Sequence, residues 1–549
     1  MFSTCARLLL VGLVASCATE PADPGSTEAI DTAQAAGASS ADLAIAAADH
    51  DAFALTTEGF IRGVATDTMR AFKGIPYAAA PVGDLRWQPT QRHARWTNVL
   101  DTTRFGDHCP QVGGAFGVGS VTEDCLFLNV FTPAGRDRDR DAFGLHPVMV
   151  WIHGGALVTG ESDDYDPTRL VEQGDVIVVT INYRLGALGF MAHPALTAES
   201  SDHASGNYGL MDQQEALRWV RRNILFFGGD PTRVTVFGES AGGLSVHSQL
   251  ASPGAQGLFQ RAIVESGAYQ LTQPSLSTAE NAGSAFATRA GCTDQTAACL
   301  RGLSVEQVLA SQATGLNAAS PTIDNKVLTQ SIATAFTSGQ FHHVPVIEGA
   351  NHDEWRLFVA GAELTGGVLT AAGYPIAIQA TLRVPAAVVP LFTTQYPVDS
   401  FPSPSLALSS LGSDGIFDCP ARFVAQKLSQ FVPTFAYEFN DPDAPQRFLP
   451  PVSFPYASAH ASEIQYLFNL PVTVPFPGLD AAQEQLSAAM VDYWTTFART
   501  GQPSSSGTPV WPRYQTATDT MQSLAPATPR PTTGFAADHK CAFWDALRQ

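Results

Sequence analysis

The chain reads as an α/β protein with a large, mostly parallel central sheet flanked by helices, and three observations predict it. Short, β-branched apolar runs recur along the sequence, helical patterns separate them, and glycine-rich turns follow several of the runs. The runs are Val148 to Ile152, Val176 to Ile181, Val234 to Phe237, Val344 to Ile347 and Phe435 to Phe439. Each is too short for a helix and apolar without alternation, as a strand covered on both faces should be. The clearest helix spans Asp212 to Phe227, where Leu217, Val220 and Ile224 share one face and Gly228-Gly229 supplies a stop. A second helix is predicted from Leu244 to Ala251, ending before Pro253. No repeat or low-complexity stretch follows residue 50, so residues 51–549 are expected to form one large domain.

Composition narrows the function. With 549 residues, 45% of them hydrophobic, the chain can bury a sizeable core. Lys and Arg total 31 against 51 for Asp and Glu, a formal charge of -20 that repels a phosphate backbone, so nucleic acid is not an expected partner. At the start, Arg7 precedes the apolar run Leu8 to Ala15, too short to span a bilayer but right for a secretory signal. Val14-Ala15-Ser16-Cys17 resembles the lipobox of bacterial lipoproteins. Residues 1–16 are therefore expected to be a signal peptide, Cys17 the lipidated first residue, and residues 17–50, rich in Ala, Ser, Thr, Asp and Pro, a flexible tether. The expected location is the cell envelope, with the lipid as the only membrane contact; ordinary signal cleavage would instead give a secreted or periplasmic protein. Oligomeric state is not legible.

Export favours disulfides. Once Cys5 leaves with the signal and Cys17 carries lipid, six cysteines remain: Cys109, Cys125, Cys292, Cys299, Cys419 and Cys541. Spacing suggests two local loops, Cys109 with Cys125 and Cys292 with Cys299, and a long closure from Cys419 to Cys541. Other pairings of six cysteines stay open on spacing alone. No Cys-x-x-Cys or Cys-His cluster at metal spacing is present, so no metal is expected.

Chemistry is sought beyond the carboxyl ends of the strands. The Val234 to Phe237 run leads directly into Gly238-Glu239-Ser240-Ala241-Gly242-Gly243 and then a helix. This is G-x-S-x-G in the strand, turn, helix context of a nucleophile elbow, in which a tight reversal thrusts the serine outward. The plain alternative is a glycine-rich turn with a buried serine. A serine hydroxyl needs a base to take its proton and a third group to hold that base. The Val344 run opens into Glu348-Gly-Ala-Asn351-His352-Asp353-Glu354-Trp355, which offers the acid. Beyond Glu354 only His460 and His539 remain; His539 stands two residues before Cys541, leaving His460, in a Pro, Ala and Ser loop, as the expected base. A tetrahedral oxyanion also needs backbone donors. Met149 to Ile152 leads into His153-Gly154-Gly155-Ala156, so the amides of Gly155, Ala156 and Ala241 are the candidates for an oxyanion hole.

With these parts in place the chain resembles the type-B carboxylesterase family, the cholinesterase-like branch of the α/β-hydrolases, over essentially all of residues 51–549. The matching segments include Phe72-Lys-Gly-Ile-Pro-Tyr-Ala78, Pro81-Val-Gly-Asp-Leu-Arg86, Glu123-Asp-Cys-Leu-Phe-Leu-Asn-Val130, Gly206-Asn-Tyr-Gly-Leu-Met-Asp-Gln213, Phe227-Gly-Gly-Asp-Pro231, the elbow, Asp353-Glu354 and Cys541-Ala-Phe-Trp544. The resemblance implies an α/β-hydrolase fold and a serine carboxylesterase acting on small-molecule esters. It implies Ser240 as nucleophile, Glu354 rather than Asp353 as the acid, His460 as general base, the three disulfides suggested above, and no metal or organic cofactor. Two departures matter. Ala156 stands where the family's third oxyanion-loop glycine falls, which leaves the amide donor but crowds bulky alcohols. The segment enclosed by Cys109 and Cys125 is short and lacks a Trp, so cholinesterase activity is disfavoured. A catalytically silent adhesion relative and an interfacial lipase are the rival readings. Because the base must be neutral, activity is expected to fall below an imidazole pKa near the ordinary value of about 6.5.

Overall fold

The computed structural model describes residues 50–134, 144–313, 315–316, 318–471 and 477–548; the expected signal peptide, Cys17 and residues 17–49 of the tether lie outside them. Among the described residues one sheet of 13 strands forms the frame. In chain order these are β1 (His50–Leu55), β2 (Phe60–Ala65), β3 (Met69–Pro76), β4 (Leu100–Asp101), β5 (Phe127–Pro133), β6 (His146–Ile152) and β7 (Ile177–Ile181), then β8 (Gly229–Glu239), β9 (Arg261–Glu265), β10 (Val346–Asn351), β11 (Thr434–Phe439), β12 (Met521–Leu524) and β13 (Arg530–Thr532). Their order is β1-β2-β3-β5-β7-β6-β8-β9-β10-β11-β12-β13, with β4 beside β2. The run from β7 to β12 is parallel, while β1, β2, β3 and β5 at one edge and β13 at the other pair antiparallel.

Every residue of β6, β7, β10 and β11 is buried, which is why these strands read as largely apolar runs without alternation. One boundary moved by physics: β10 starts at Val346 rather than Val344, because Pro345 has no N–H to give a ladder, and it continues through Glu348 to Asn351. The expected helix from Asp212 is found at Tyr208–Asn223, tightened into a 3-10 turn at Ile224–Phe227 and stopped by Gly228 at φ 91°. The helix expected from Leu244 begins at Ala241.

One apolar layer lies between the sheet and the helices Tyr208–Asn223 and Ala241–Ala251. The other lies under Ala481–Thr500, where Trp151, Phe237, Phe468 and Trp494 pack together with the Trp151 and Phe237 rings 4.8 Å apart. Between β10 and β11 the chain builds a helical cap: Arg356–Gly366, Tyr374–Leu382, Val389–Gln395, Pro404–Gly412 and Cys419–Leu428, the last two joined by a π-turn at Ser413–Asp418. Disulfides join Cys109 to Cys125, Cys292 to Cys299 and Cys419 to Cys541, the pairing that spacing suggested, and they are consistent with an exported protein. The third ties the C-terminal helix Cys541–Leu547 to the cap.

Candidate active site

β8 ends at Glu239, and the chain reverses at Ser240 with φ 55° and ψ −120° before the helix Ala241–Ala251. That backbone is costly for a residue with a Cβ. It is held by Ser240 N donating to Glu265 O at 2.8 Å and by Leu244 N donating to Ser240 O at 2.8 Å. Only glycine fits on either side: a Cβ on Gly238 would stand 2.5 Å from Ile152 O, and one on Gly242 1.9 Å from the same atom. The elbow therefore presses against the end of β6, the strand that launches the loop His153-Gly154-Gly155-Ala156.

That loop runs past the serine, since a Cβ on Gly154 would stand 3.1 Å from Ser240 Cβ. Gly155 and Ala156 adopt φ of 94° and 56°, and Val158 N and Thr159 N both donate to Gly155 O at 3.0 Å. Among the described residues none accepts a hydrogen bond from the amides of Gly155, Ala156 or Ala241. His153 stacks on Tyr183 with centroids 4.5 Å apart, and Tyr183 OH donates to His153 O at 2.8 Å. Burial holds the His153 pKa at about 4, so this imidazole braces the loop without charge.

The candidate acid stands just past the end of β10. Glu354, fully buried, accepts from Asn351 N at 2.8 Å and from Ser266 Oγ at 2.5 Å through Oε1, and its Oε2 lies 2.5 Å from His460 Nδ1. Both oxygens are thereby fixed. Asp353 instead pairs with Arg356 at 2.7 Å. The His460 ring lies between Phe417 and Phe358, with centroids 4.8 and 5.2 Å away. Its far nitrogen, Nε2, lies 3.1 Å from Glu239 Oε1, on the residue directly before Ser240. Acid and imidazole are in direct contact and the serine stands beside them; no hydrogen bond joins Ser240 Oγ to the imidazole in this arrangement, among the described residues.

The electrostatics correct one expectation. Burial alone would lower the His460 pKa, but the Glu239 and Glu354 carboxylates outweigh it and hold it at about 9, above the ordinary value that the sequence suggested. Burial likewise drives Glu239 well above the usual carboxylate range against the pull of His460, and lifts Glu463 to about 7 with help from Glu354. Glu265 rises to about 8, chiefly through burial, although Trp494 Nε1 donates to it at 2.8 Å.

Sequence reasoning missed Glu239, Ser266, Asn351 and Glu463. Glu239 occupies an unconstrained position of G-x-S-x-G, and Ser266 follows the short run Arg261–Glu265, itself a readable strand. It also passed over His539, whose ring is buried among carboxylates. Its Nδ1 faces Asp414 at 2.8 Å and Asp418 at 3.2 Å, and its Nε2 faces Glu438 at 2.8 Å. Two His, Asp and Glu groups of three meet there, His352 with Glu438 and His539, and Asp414 with Asp418 and His539. Both ring nitrogens of His539 already face carboxylates, so the imidazolium itself is the cation of this node.

Comparison with known proteins gives the family of the chain. The model of the carboxylesterase family matches residues 50–544. The chain is 35% identical over 485 residues to para-nitrobenzyl esterase of Bacillus subtilis (strain 168), covering 84% of this chain and 92% of that protein. It is 36% identical over 471 residues to acylcarnitine hydrolase of Mus musculus, covering 81% of each. With cocaine esterase of Homo sapiens it shares 33% over 504 residues, 87% of each. The chain belongs to the carboxylesterase family and is a carboxylic ester hydrolase built on the α/β-hydrolase fold.

Proposed function

We propose that the protein hydrolyses carboxylic esters through an acyl-enzyme formed on Ser240, with His460 as general base and Glu354 as the acid that orients it. The observation that carries this reading is the 2.5 Å contact between Glu354 Oε2 and His460 Nδ1 at the carboxyl end of β10, beside the strained Ser240. For reaction the imidazole Nε2 turns from Glu239 to Ser240 Oγ and takes its proton as the oxygen attacks the ester carbonyl. The amides of Gly155, Ala156 and Ala241 receive the resulting oxyanion. His460 then gives the proton to the leaving alcohol, and water repeats the sequence on the acyl-enzyme. Glu354 stabilises the imidazolium in both half-reactions.

The substrates are neutral or moderately apolar esters. The apolar flanks of His460, Phe358 and Phe417, favour them, as does the likeness to para-nitrobenzyl esterase. The absence of Trp between Cys109 and Cys125 continues to disfavour choline esters. We further propose that residues 51–549 act as one catalytic domain, exported behind the signal peptide 1–16 and tethered through lipid on Cys17. Turnover of p-nitrophenyl butyrate tests the core of this reading. Ser240→Ala and His460→Ala should each lose at least about 1,000-fold in kcat, and undiminished turnover in either would refute the assignment.

A further inference from the structure

The helical cap carries a surface unlike the rest of the chain. Between Glu363 and Asp399 the only charged residue is Arg383, in a protein whose formal charge is -20. Large apolar side chains on this stretch face outward: Ile376 is 67% exposed, Val368 57% and Leu391 46%. They do so because each helix buries another face, Tyr374 and Ile378 on one and Val389 and Phe392 on the next. Among the described residues no single helix is long and apolar enough to cross a membrane. The pair Tyr374–Leu382 and Ala386–Ser400 reaches that length and hydropathy only together, and it is bent by 114°. A bent pair with one face packed on the protein lies along an apolar phase rather than through it.

We infer that this face of the cap docks on an uncharged lipid–water interface. A protein partner would draw on a rim of charges, of which this stretch has only Arg383, whereas neutral lipid asks for none. The overall negative charge repels anionic lipid, so the matching surface is neutral. The stretch starts at the end of the helix that carries Phe358. Helix Arg356–Gly366 begins two residues after Glu354, and its Phe358 packs 5.2 Å from the His460 ring. Docking there would bring sparingly soluble esters to the part of the cap that continues into this helix, an advantage that rests on the ester-hydrolase reading.

The test uses the full chain carrying Cys17→Ala, so that no lipid on that residue contributes, and vesicles of phosphatidylcholine. Flotation should show binding that persists as salt is raised. Adding Ile376→Glu and Leu391→Glu, both exposed and outside the catalytic machinery, should weaken binding about tenfold or more while leaving hydrolysis of soluble p-nitrophenyl acetate unchanged. Absence of binding, equal binding by the double variant, or a dimer that the double variant dissolves would overturn the inference. Loss of acetate hydrolysis in the parent would count against the ester-hydrolase reading instead and leave the binding result standing.

Discussion

Glu239 Oε1 lies 3.1 Å from His460 Nε2, on the edge of the imidazole opposite the one that Glu354 holds at 2.5 Å. The ring is therefore bracketed by two carboxylates along the line a proton must travel. In the proposed mechanism one fixes its orientation, and the other competes with Ser240 for the reacting nitrogen.

The first consequence is in the pH profile. The imidazole serves as base only when neutral, so activity falls as pH drops through its pKa, which the two carboxylates hold at about 9. The acid limb of kcat/KM should lie above the ordinary imidazole range. Glu239→Gln removes one of the two stabilising charges and should move that limb to lower pH. A limb that stays in place would show that Glu239 is already uncharged when the enzyme works.

Ser266 makes a second case. Its hydroxyl donates to Glu354 Oε1 at 2.5 Å, and only Asn351 N shares that oxygen. Ser266→Ala leaves a buried carboxylate short of a donor, a loss of about 1.5–3 kcal/mol. The expected result is a fall of about 10- to 100-fold in kcat with KM little changed. An unaltered kcat would mean that Asn351 suffices to hold the acid.

Ala156 adopts φ 56°, a conformation that costs a residue with a Cβ about 1–2 kcal/mol. Ala156→Gly should relieve that strain and remove a methyl beside the oxyanion loop. The ratio of kcat/KM for a tert-butyl ester to that for an ethyl ester should rise, and a constant ratio would place the limit on bulky alcohols elsewhere in the pocket.

The node around His539 bears on stability. Burial opposes its charge, but Asp418, Asp414 and Glu438 raise its pKa well above the ordinary value. Because the folded pKa exceeds the unfolded one, the stabilisation is fully present below the unfolded value and is lost as pH rises through the folded one. His539→Gln strands buried carboxylates and should cost about 3–5 kcal/mol at neutral pH. Thermal melts across pH read both effects; a variant with an unchanged Tm would show the node to be neutral.

The parts of this molecule legible in its sequence share a cause. β6, β7, β8 and β11 announced themselves because helices cover both faces, and the turn at Ser240 and the loop after β6 because their tight backbone favours glycine. The antiparallel edge was not read, since β2 and β3 mix buried and half-exposed residues and carry polar side chains such as Arg62 and Lys73. Two further carboxylates that raise the His460 pKa were hidden for a different reason. Glu239 and Glu463 are far apart in sequence, one at the end of β8 and one in the loop after β11, and only the fold brings both to one imidazole. The π-turn at Ser413–Asp418, which presents Phe417 to that ring and Asp418 to His539, has no periodic signature to find.

The most direct test of the account is to identify the atom that becomes acylated. After incubation with an alkyl fluorophosphonate, peptide mass spectrometry should find one stoichiometric adduct on Ser240, formed more slowly as pH falls through the His460 limb. An adduct on any other residue, or ester turnover that continues with Ser240 unmodified, would contradict it.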